Sequence, residues 1–307
     1  MKIVAALIGK NEEELLPRCL DSLKGVDAIY FSDTGSTDKT VEIAKRYTDK
    51  VWTEDLWQKS FCKARNFILD KIKEDFKDEV VWVLSIDCDE FLHDVSKIKP
   101  AAELAEQKGL LAMDVKLISE QEKQIHYFPR LFKMSPDVWW EGVAHNHISV
   151  KAGGTSEVEI TYGYSPAHQH DPTRTLDILK EEVERNHNAR ETFYLGREYW
   201  YRKMFPETVK VMEDYIKIAH FMPEKADAYV ILARCYFAMG EGDKAREACA
   251  NALIINPHFR EAAKFMSKLA GRGTGNPAWE KNADWWEKAA ERSDNSMVLF
   301  IRDENNI

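Results

Sequence analysis

Three acids in four residues, Asp87-Cys88-Asp89-Glu90, follow directly on the run Val80-Val81-Trp82-Val83-Leu84-Ser85-Ile86. That run, mostly β-branched, aromatic and apolar, predicts a buried strand. Acids at the point where a strand leaves a sheet are costly unless something positive lies against them. Two carboxyls spaced i, i+2 on an extended chain face the same way. A divalent cation carrying a diphosphate meets both conditions, because hard cations prefer carboxylate oxygens and phosphate supplies the remaining ligands.

Three earlier segments carry residues of the same kind. Gly9-Lys10-Asn11-Glu12-Glu13 follows another apolar run. Asn11 and Glu12 suit a sugar hydroxyl or a base edge; they equally suit a helix start, where acids lie near the positive dipole end. In Asp33-Thr34-Gly35-Ser36-Thr37-Asp38, Gly35 permits a tight turn. Asp33 offers an acceptor to a base N–H, with an Asx-type turn and helix cap as the alternative. Lys63-Ala64-Arg65-Asn66 opens a helix, and Arg65 either meets a diphosphate or base carbonyl or lies on a solvated face.

Regular elements must position these segments. Lys2 to Ile8, Ala28 to Ser32, Lys50 to Thr53, Val80 to Ile86 and Leu110 to Ile118 read as strands. Leu16 to Lys24, a stretch capped by Ser36 or Thr37 and running to about Tyr47, and Phe61 to Asp75 read as helices. This alternation predicts an α/β sheet with crossover helices, in which ligands bind beyond the carboxyl ends of the strands. From His126 to Tyr164 the pattern changes to short strands, with Gly153-Gly154 as a hairpin turn.

After about Thr173 the chain reads as helical. Asp227 to Pro257 fits a tetratricopeptide repeat, with Tyr229, Leu232, Ala233, Tyr236, Gly240 and Ala245 at its expected positions. A looser copy precedes it through Leu195-Gly196, Tyr199 and Pro223. Phe259 to Ala270 reads as a capping helix, Gly271 to Pro277 as a loop, and Trp279 to Arg292 as a last helix. The expected domains are 1–172, 173–270 and a linker, helix and tail over 271–307.

With 44% hydrophobic and 31% charged residues, the chain falls among soluble globular proteins. A net charge of −9 disfavours broad binding to nucleic-acid backbones, while leaving room for a local basic groove. No apolar stretch reaches the length of a membrane span, and the first eight residues are too short for a signal-peptide core. Cys19, Cys62, Cys88, Cys235 and Cys249 are scattered without CxxC spacing, so neither a disulfide framework nor a zinc site is expected. Reduced thiols in a cytoplasmic protein are the expectation.

Taken in order, Lys10-Asn11-Glu12-Glu13, Asp33-Thr34-Gly35-Ser36-Thr37-Asp38, Ala64-Arg65-Asn66 and Asp87-Cys88-Asp89-Glu90 resemble the family-2 glycosyltransferases of GT-A fold. The resemblance covers about residues 1–270 and is closest to the branch in which a tetratricopeptide segment follows the catalytic domain. It implies a mixed nucleotide-sugar-binding sheet flanked by helices, then an all-α region. It also implies that Asp33 contacts the uracil of a UDP-sugar, that Arg65 meets the base or diphosphate, and that Asp87 lies near the ribose or donor sugar. Asp89 would bind Mn2+ or Mg2+ on the diphosphate, and Ile8, Asn11, Glu12 and Cys88 would complete the donor site. The chain departs from the commoner Asp-Asp-Gly-Ser pattern by having Thr34 second.

Two later clusters extend the resemblance. In Trp139-Trp140-Glu141-Gly142-Val143-Ala144-His145-Asn146-His147, Gly142 and His145 match the family's aromatic-x-Gly-x-x-His-Glu element, with Asn146 in place of its Glu. His168-Gln169-His170-Asp171-Pro172 resembles the later His that precedes the helical segment. Histidine is a frequent ligand of transition metals, so His145 and His170 are expected near the metal or diphosphate, with ordinary loop histidines as the alternative.

The reaction would be glycosyl transfer, with inversion the commoner outcome among relatives of this kind. A carboxyl must take the acceptor's proton; Glu141 is the expected base, with Asp137 and Glu90 as competitors. A nucleotidyltransferase is the second reading, weakened because a Gly-rich phosphate loop does not follow the first strand. A non-catalytic repeat scaffold is the third. The acceptor would be a saccharide, a lipid-linked glycan or a peptide; the acidic balance disfavours DNA. Two repeats are few for an independent solenoid, so the helical region is expected to pack on the catalytic domain or on a second copy of the chain.

Overall fold

The computed structural model describes residues 1–53, 59–121, 125–163, 172–271 and 277–293. The described chain divides into two compact units, Met1–Arg174 and Thr175–Ile307.

The first unit is a mixed sheet with helices on its faces. Its elements run β1 (Lys2–Gly9), α1 (Leu16–Ser22), β2 (Ala28–Asp33), α2 (Thr40–Ala44), β3 (Val51–Trp52), α3 (Phe61–Asp75), β4 (Val81–Ser85) and β5 (Glu90–Leu92). Then come α4 (Ile98–Gln107), β6 (Ala112–Ser119), β7 (Ile125–Lys133), β8 (Trp140–Glu141), β9 (His147–Ile148) and β10 (Thr155–Tyr162). The strand order is β3-β2-β1-β4-β7-β6-β10-β5, with β8 and β9 as a separate two-stranded ribbon. Strand β1 pairs parallel to both β2 and β4, so the carboxyl ends of all three open on one edge.

Strand β1 shows why a continuous apolar run is needed at the centre of such a sheet. Ile3, Ala5 and Leu7 enter a core with Leu16, Leu20, Ile98 and Ala102 from α1 and α4. Val4, Ala6 and Ile8 enter the opposite core with Ala64, Ile68 and Ile72 of α3 and with Trp140. Both faces are covered, as parallel strands require. The helix expected over Phe61 to Asp75 forms over that span, capped by Ser60, whose hydroxyl accepts from the Lys63 N–H at 3.4 Å.

Two local expectations give way to longer-range geometry. Neither Ser36 nor Thr37 caps a helix; α2 starts at Thr40 with no side-chain cap at Lys39. Those residues instead bond the loop after β1: the Asn11 N–H donates to Ser36 Oγ at 2.9 Å, and the Thr37 N–H donates to Asn11 Oδ1 at 2.8 Å. Gly153-Gly154 makes no hairpin either, because β10 pairs parallel to β6 and antiparallel to β5. The Gly153 N–H donates to the Ala112 carbonyl at 3.0 Å, and the Asp114 N–H donates to the Gly154 carbonyl at 2.8 Å. A Cβ on Gly153 would lie 2.3 Å from Leu110 Cδ2, so glycine is needed for close approach rather than for a turn.

The second unit is helical: α5 (Arg174–Asn186), α6 (Ala189–Tyr201), α7 (Phe205–Ile218), α8 (Met222–Ala238), α9 (Gly242–Ile255), α10 (Arg260–Leu269) and α11 (Pro277–Glu291). The repeat expected over Asp227 to Pro257 occupies α8 and α9, joined through Gly240 at φ +80°. The looser copy occupies α6 and α7, where a Cβ on Gly196 would lie 2.7 Å from Met212 Cε. Helix α10 is covered by α11, so it begins a further pair instead of ending the stack. All five cysteines are free thiols. Among the described residues no helix is long and apolar enough to cross a membrane.

Candidate functional site

The carboxyl ends of β1 and β2 meet at Gly9 and Asp33, which are partners in register. The Thr34 N–H and hydroxyl both donate to the Gly9 carbonyl, at 2.9 and 3.1 Å. Asp33 Oδ2 accepts the N–H groups of Gly35 and Ser36, each at 3.0 Å. Gly35, at φ +104°, turns the chain so that both donors converge on one oxygen. Asp33 is 3% exposed, and its Oδ1 is buried with no hydrogen-bond partner among the described residues. A buried acceptor left open is costly unless a ligand completes it.

Asn11 and Glu12 serve this loop from the neighbouring strand end. Asn11 takes φ +58° and laces to Ser36 and Thr37. The Glu12 N–H donates to Thr40 Oγ1 at 2.6 Å, and the Lys39 N–H donates to Glu13 Oε2 at 2.9 Å. The two loops therefore form one laced unit. The Ile8 carbonyl accepts from the Cys88 thiol at 3.3 Å. Burial pushes the Cys88 thiol well above its ordinary pKa, so this group stays neutral and anchors the β4 turn to β1.

At the end of β4, Asp87 is gripped from two sides. Arg65, 9% exposed on α3, donates to Ser85 Oγ at 3.0 Å and to Asp87 Oδ1 at 2.5 Å. Arg130 on β7 donates to Asp87 Oδ2 at 3.0 Å and to Glu90 Oε1 at 3.2 Å. Glu90 Oε2 accepts the Asp87 N–H at 2.8 Å. Burial disfavours the charged Asp87 carboxylate, but the two guanidinium groups outweigh it and hold the group well below the usual carboxylate range. Glu90 moves the other way: burial, helped by the charge of Asp87 and opposed by Arg130, pushes it up to about 7. Asp89 lies half-buried between them, its carbonyl accepting from the Gly163 N–H at 3.2 Å.

Glu141 lies on the separate ribbon. Asn66, next to Arg65 on α3, donates to the Trp140 carbonyl at 2.9 Å and accepts the Trp140 N–H at 2.7 Å, which fixes the ribbon to the helix. The Arg65 guanidinium lies 4.8 Å from the Trp140 ring centroid. The Trp139 indole donates to Glu141 Oε1 at 3.0 Å, and His147 Nε2 lies 3.5 Å from Glu141 Oε2. Asn66 thus links the ribbon that carries Glu141 to the helix that carries Arg65. His145 is exposed in the following loop, whose Val143 carbonyl accepts the Phe61 N–H at the start of α3. His168 and His170 lie outside the described residues. Among the described residues no group of three or more His, Cys, Asp or Glu is arranged to hold a metal ion.

The structure thus gathers Ile8, Asn11, Glu12, Asp33, Arg65, Asp87 and Cys88 around one sheet edge. Sequence reasoning missed Arg130 and the bracing by Glu90. The one local signal for Arg130 is Pro129 inside a strand, which marks an edge or a bulge.

The family described as Glycosyl transferase family 2 matches residues 7–160, and a tetratricopeptide repeat family matches residues 207–269. A TPR repeat-containing protein of Synechococcus elongatus is 33% identical over 147 residues, covering 47% of this chain and 34% of that protein. An uncharacterized glycosyltransferase of Rickettsia typhi is 38% identical over 96 residues, covering 30% of this chain and 29% of that one. The chain therefore spans about a third of the length of these curated relatives. The crystal structure of S. aureus TarS superimposes with a TM-score of 0.46 at 15% identity, covering 81% of this chain and 55% of that one. The family match runs from within β1 to within β10, half of the sequence, and the chain belongs to glycosyl transferase family 2.

Proposed function

We propose that the first unit transfers a sugar from a nucleotide-diphosphate donor, a UDP-sugar, to an acceptor hydroxyl, with inversion. The observation that carries this reading is Asp33 Oδ1, a buried acceptor open at the family's base-binding position. The N3–H of uracil is a donor of matching type. A nucleotidyltransferase is disfavoured because Gly9-Lys10-Asn11-Glu12-Glu13, after the first strand, is not a Gly-rich phosphate loop.

On this reading a divalent cation, Mn2+ or Mg2+, arrives with the donor diphosphate and meets the acidic rim. Both Asp87 oxygens are taken by guanidinium groups, so Asp89 is the proposed protein ligand of the pair. With no preformed cage among the described residues, diphosphate oxygens would supply much of the shell. His145 and His170 are the further candidate ligands. When bound, the cation offsets charge that gathers on the departing diphosphate. Glu141 takes the acceptor's proton, held in place by the Trp139 indole. Trp139, 44% exposed, offers a ring face on which a sugar can stack. The helical unit is proposed to hold or orient the acceptor, a saccharide, a lipid-linked glycan or a peptide, or to pair with a second copy of the chain.

Calorimetric titration of UDP with and without Mn2+ tests the reading, together with a screen of nucleotide-sugars for Mn2+-dependent hydrolysis. Metal-dependent UDP binding and hydrolysis of one donor class are expected. Preference for a nucleoside triphosphate, or no nucleotide binding at all, would overturn it.

A further inference from the structure

Arg130 sits where β7 departs from regular pairing. Leu131 pairs with Met113 and Phe128 with Val115, so Pro129 and Arg130 together oppose the single residue Asp114. This is the count of a β-bulge, a device that re-aims a side chain. Pro129 suits it, having no N–H to leave unpaired. On the other side of β7, Leu131 pairs with Leu84 of β4, which brings Arg130 beside the end of that strand.

The re-aimed guanidinium closes a ring of contacts around the acidic turn. One Arg130 nitrogen reaches Asp87 Oδ2 at 3.0 Å and Glu90 Oε1 at 3.2 Å. Glu90 Oε2 accepts the Asp87 N–H, and the Glu90 N–H donates to the Asp87 carbonyl at 3.0 Å. Cys88 points back to the Ile8 carbonyl. These bonds tie residues 87, 88 and 90 inward, and the Asp89 carbonyl accepts from the Gly163 N–H at 3.2 Å. Without Arg130, Asp87 keeps the Arg65 guanidinium, but Glu90 loses the cation that ties its carboxyl to Asp87.

We propose that Arg130 is a positioning residue of the donor site: it locks the Asp87–Glu90 turn in the one conformation that directs Asp89 to the cation on the donor diphosphate. The inference rests on the functional reading above and adds to it a residue outside the four motifs. Its signature is a split between two kinds of binding. UMP, which lacks the second phosphate and the cation it carries, makes no use of Asp89, whereas UDP with Mn2+ does.

The experiment measures UMP affinity, UDP affinity with and without Mn2+, and the thermal midpoint for wild type, Arg130→Lys and Arg130→Met. In Arg130→Met the Mn2+-dependent gain in UDP affinity should fall at least tenfold while UMP affinity stays within twofold; Arg130→Lys should fall between. Should Arg130→Met fail to fold, the same split in Arg130→Lys carries the test. Unchanged Mn2+-dependent UDP binding in both variants overturns the proposal, as does a parallel loss of UMP and UDP binding. A wild type without Mn2+-dependent UDP binding overturns the functional reading itself, a result separable from wild-type binding that Arg130 variants leave untouched.

Discussion

The ends of β2 and β4 flank the same strand, and each presents an aspartate at the sheet edge, yet their surroundings differ. At the end of β4, both Asp87 oxygens are occupied by guanidinium groups from α3 and β7. At the end of β2, one Asp33 oxygen is held by two backbone N–H groups of its own loop and the other is left open and buried. The first arrangement is complete without any ligand; the second is not. An acid drawn from the same kind of strand-end motif can therefore brace the architecture or present a binding atom, and only its partners distinguish the roles.

The strongest way to break this contrast is Asp89→Ala. It should abolish Mn2+-dependent UDP binding while leaving the thermal midpoint near wild type, since a half-buried strand-end acid contributes little to the core; wild-type donor turnover in this variant would contradict the assignment. Asp33→Ala removes the proposed base contact and the acceptor for two N–H groups, each a loss of about 1–3 kcal/mol. UDP affinity should fall roughly ten- to a hundredfold whether or not Mn2+ is present, and titration calorimetry decides. Arg65→Met leaves Asp87 with one guanidinium and should cost about 3 kcal/mol of stability by urea unfolding.

The smallest effect concerns pH and separates the two carboxyls of the β4 turn. Asp87 is lowered in the folded state, so its contribution is present above the unfolded value near 3.9 and is lost as pH falls below it. Glu90 is raised to about 7, so the folded state holds its proton longer than the unfolded state does. Stability therefore falls as pH rises from about 4.3 to about 7. Denaturation of the metal-free protein across that range should show the decline, and Glu90→Gln should flatten it.

Much of this was legible in the amino-acid order because it is local. Apolar runs ending in acids place Asp33 and Asp87 at strand ends, and the apolar positions of Phe61 to Asp75 carry Arg65 to the right side of the sheet. What was not legible depends on pairing between distant segments. Arg130 gains its role from a bulge set by two neighbouring strands, 43 residues from Asp87 in sequence. Gly153-Gly154 has the chemistry of a tight turn, but its partner is Leu110, which sequence order does not reveal. Ser36 and Thr37 are good helix caps that Asn11 claims first.

The convergence of Gly35 and Ser36 on a single Asp33 oxygen has a consequence for selectivity. With that oxygen immobilised, the carboxyl cannot rotate to offer anything except a lone pair at the other. On the donor reading proposed above, a pyrimidine carrying hydrogen at N3 is attracted there, whereas cytosine, with a lone pair at the same ring position, is repelled. CDP should then compete poorly against UDP even though their sugars and phosphates are identical.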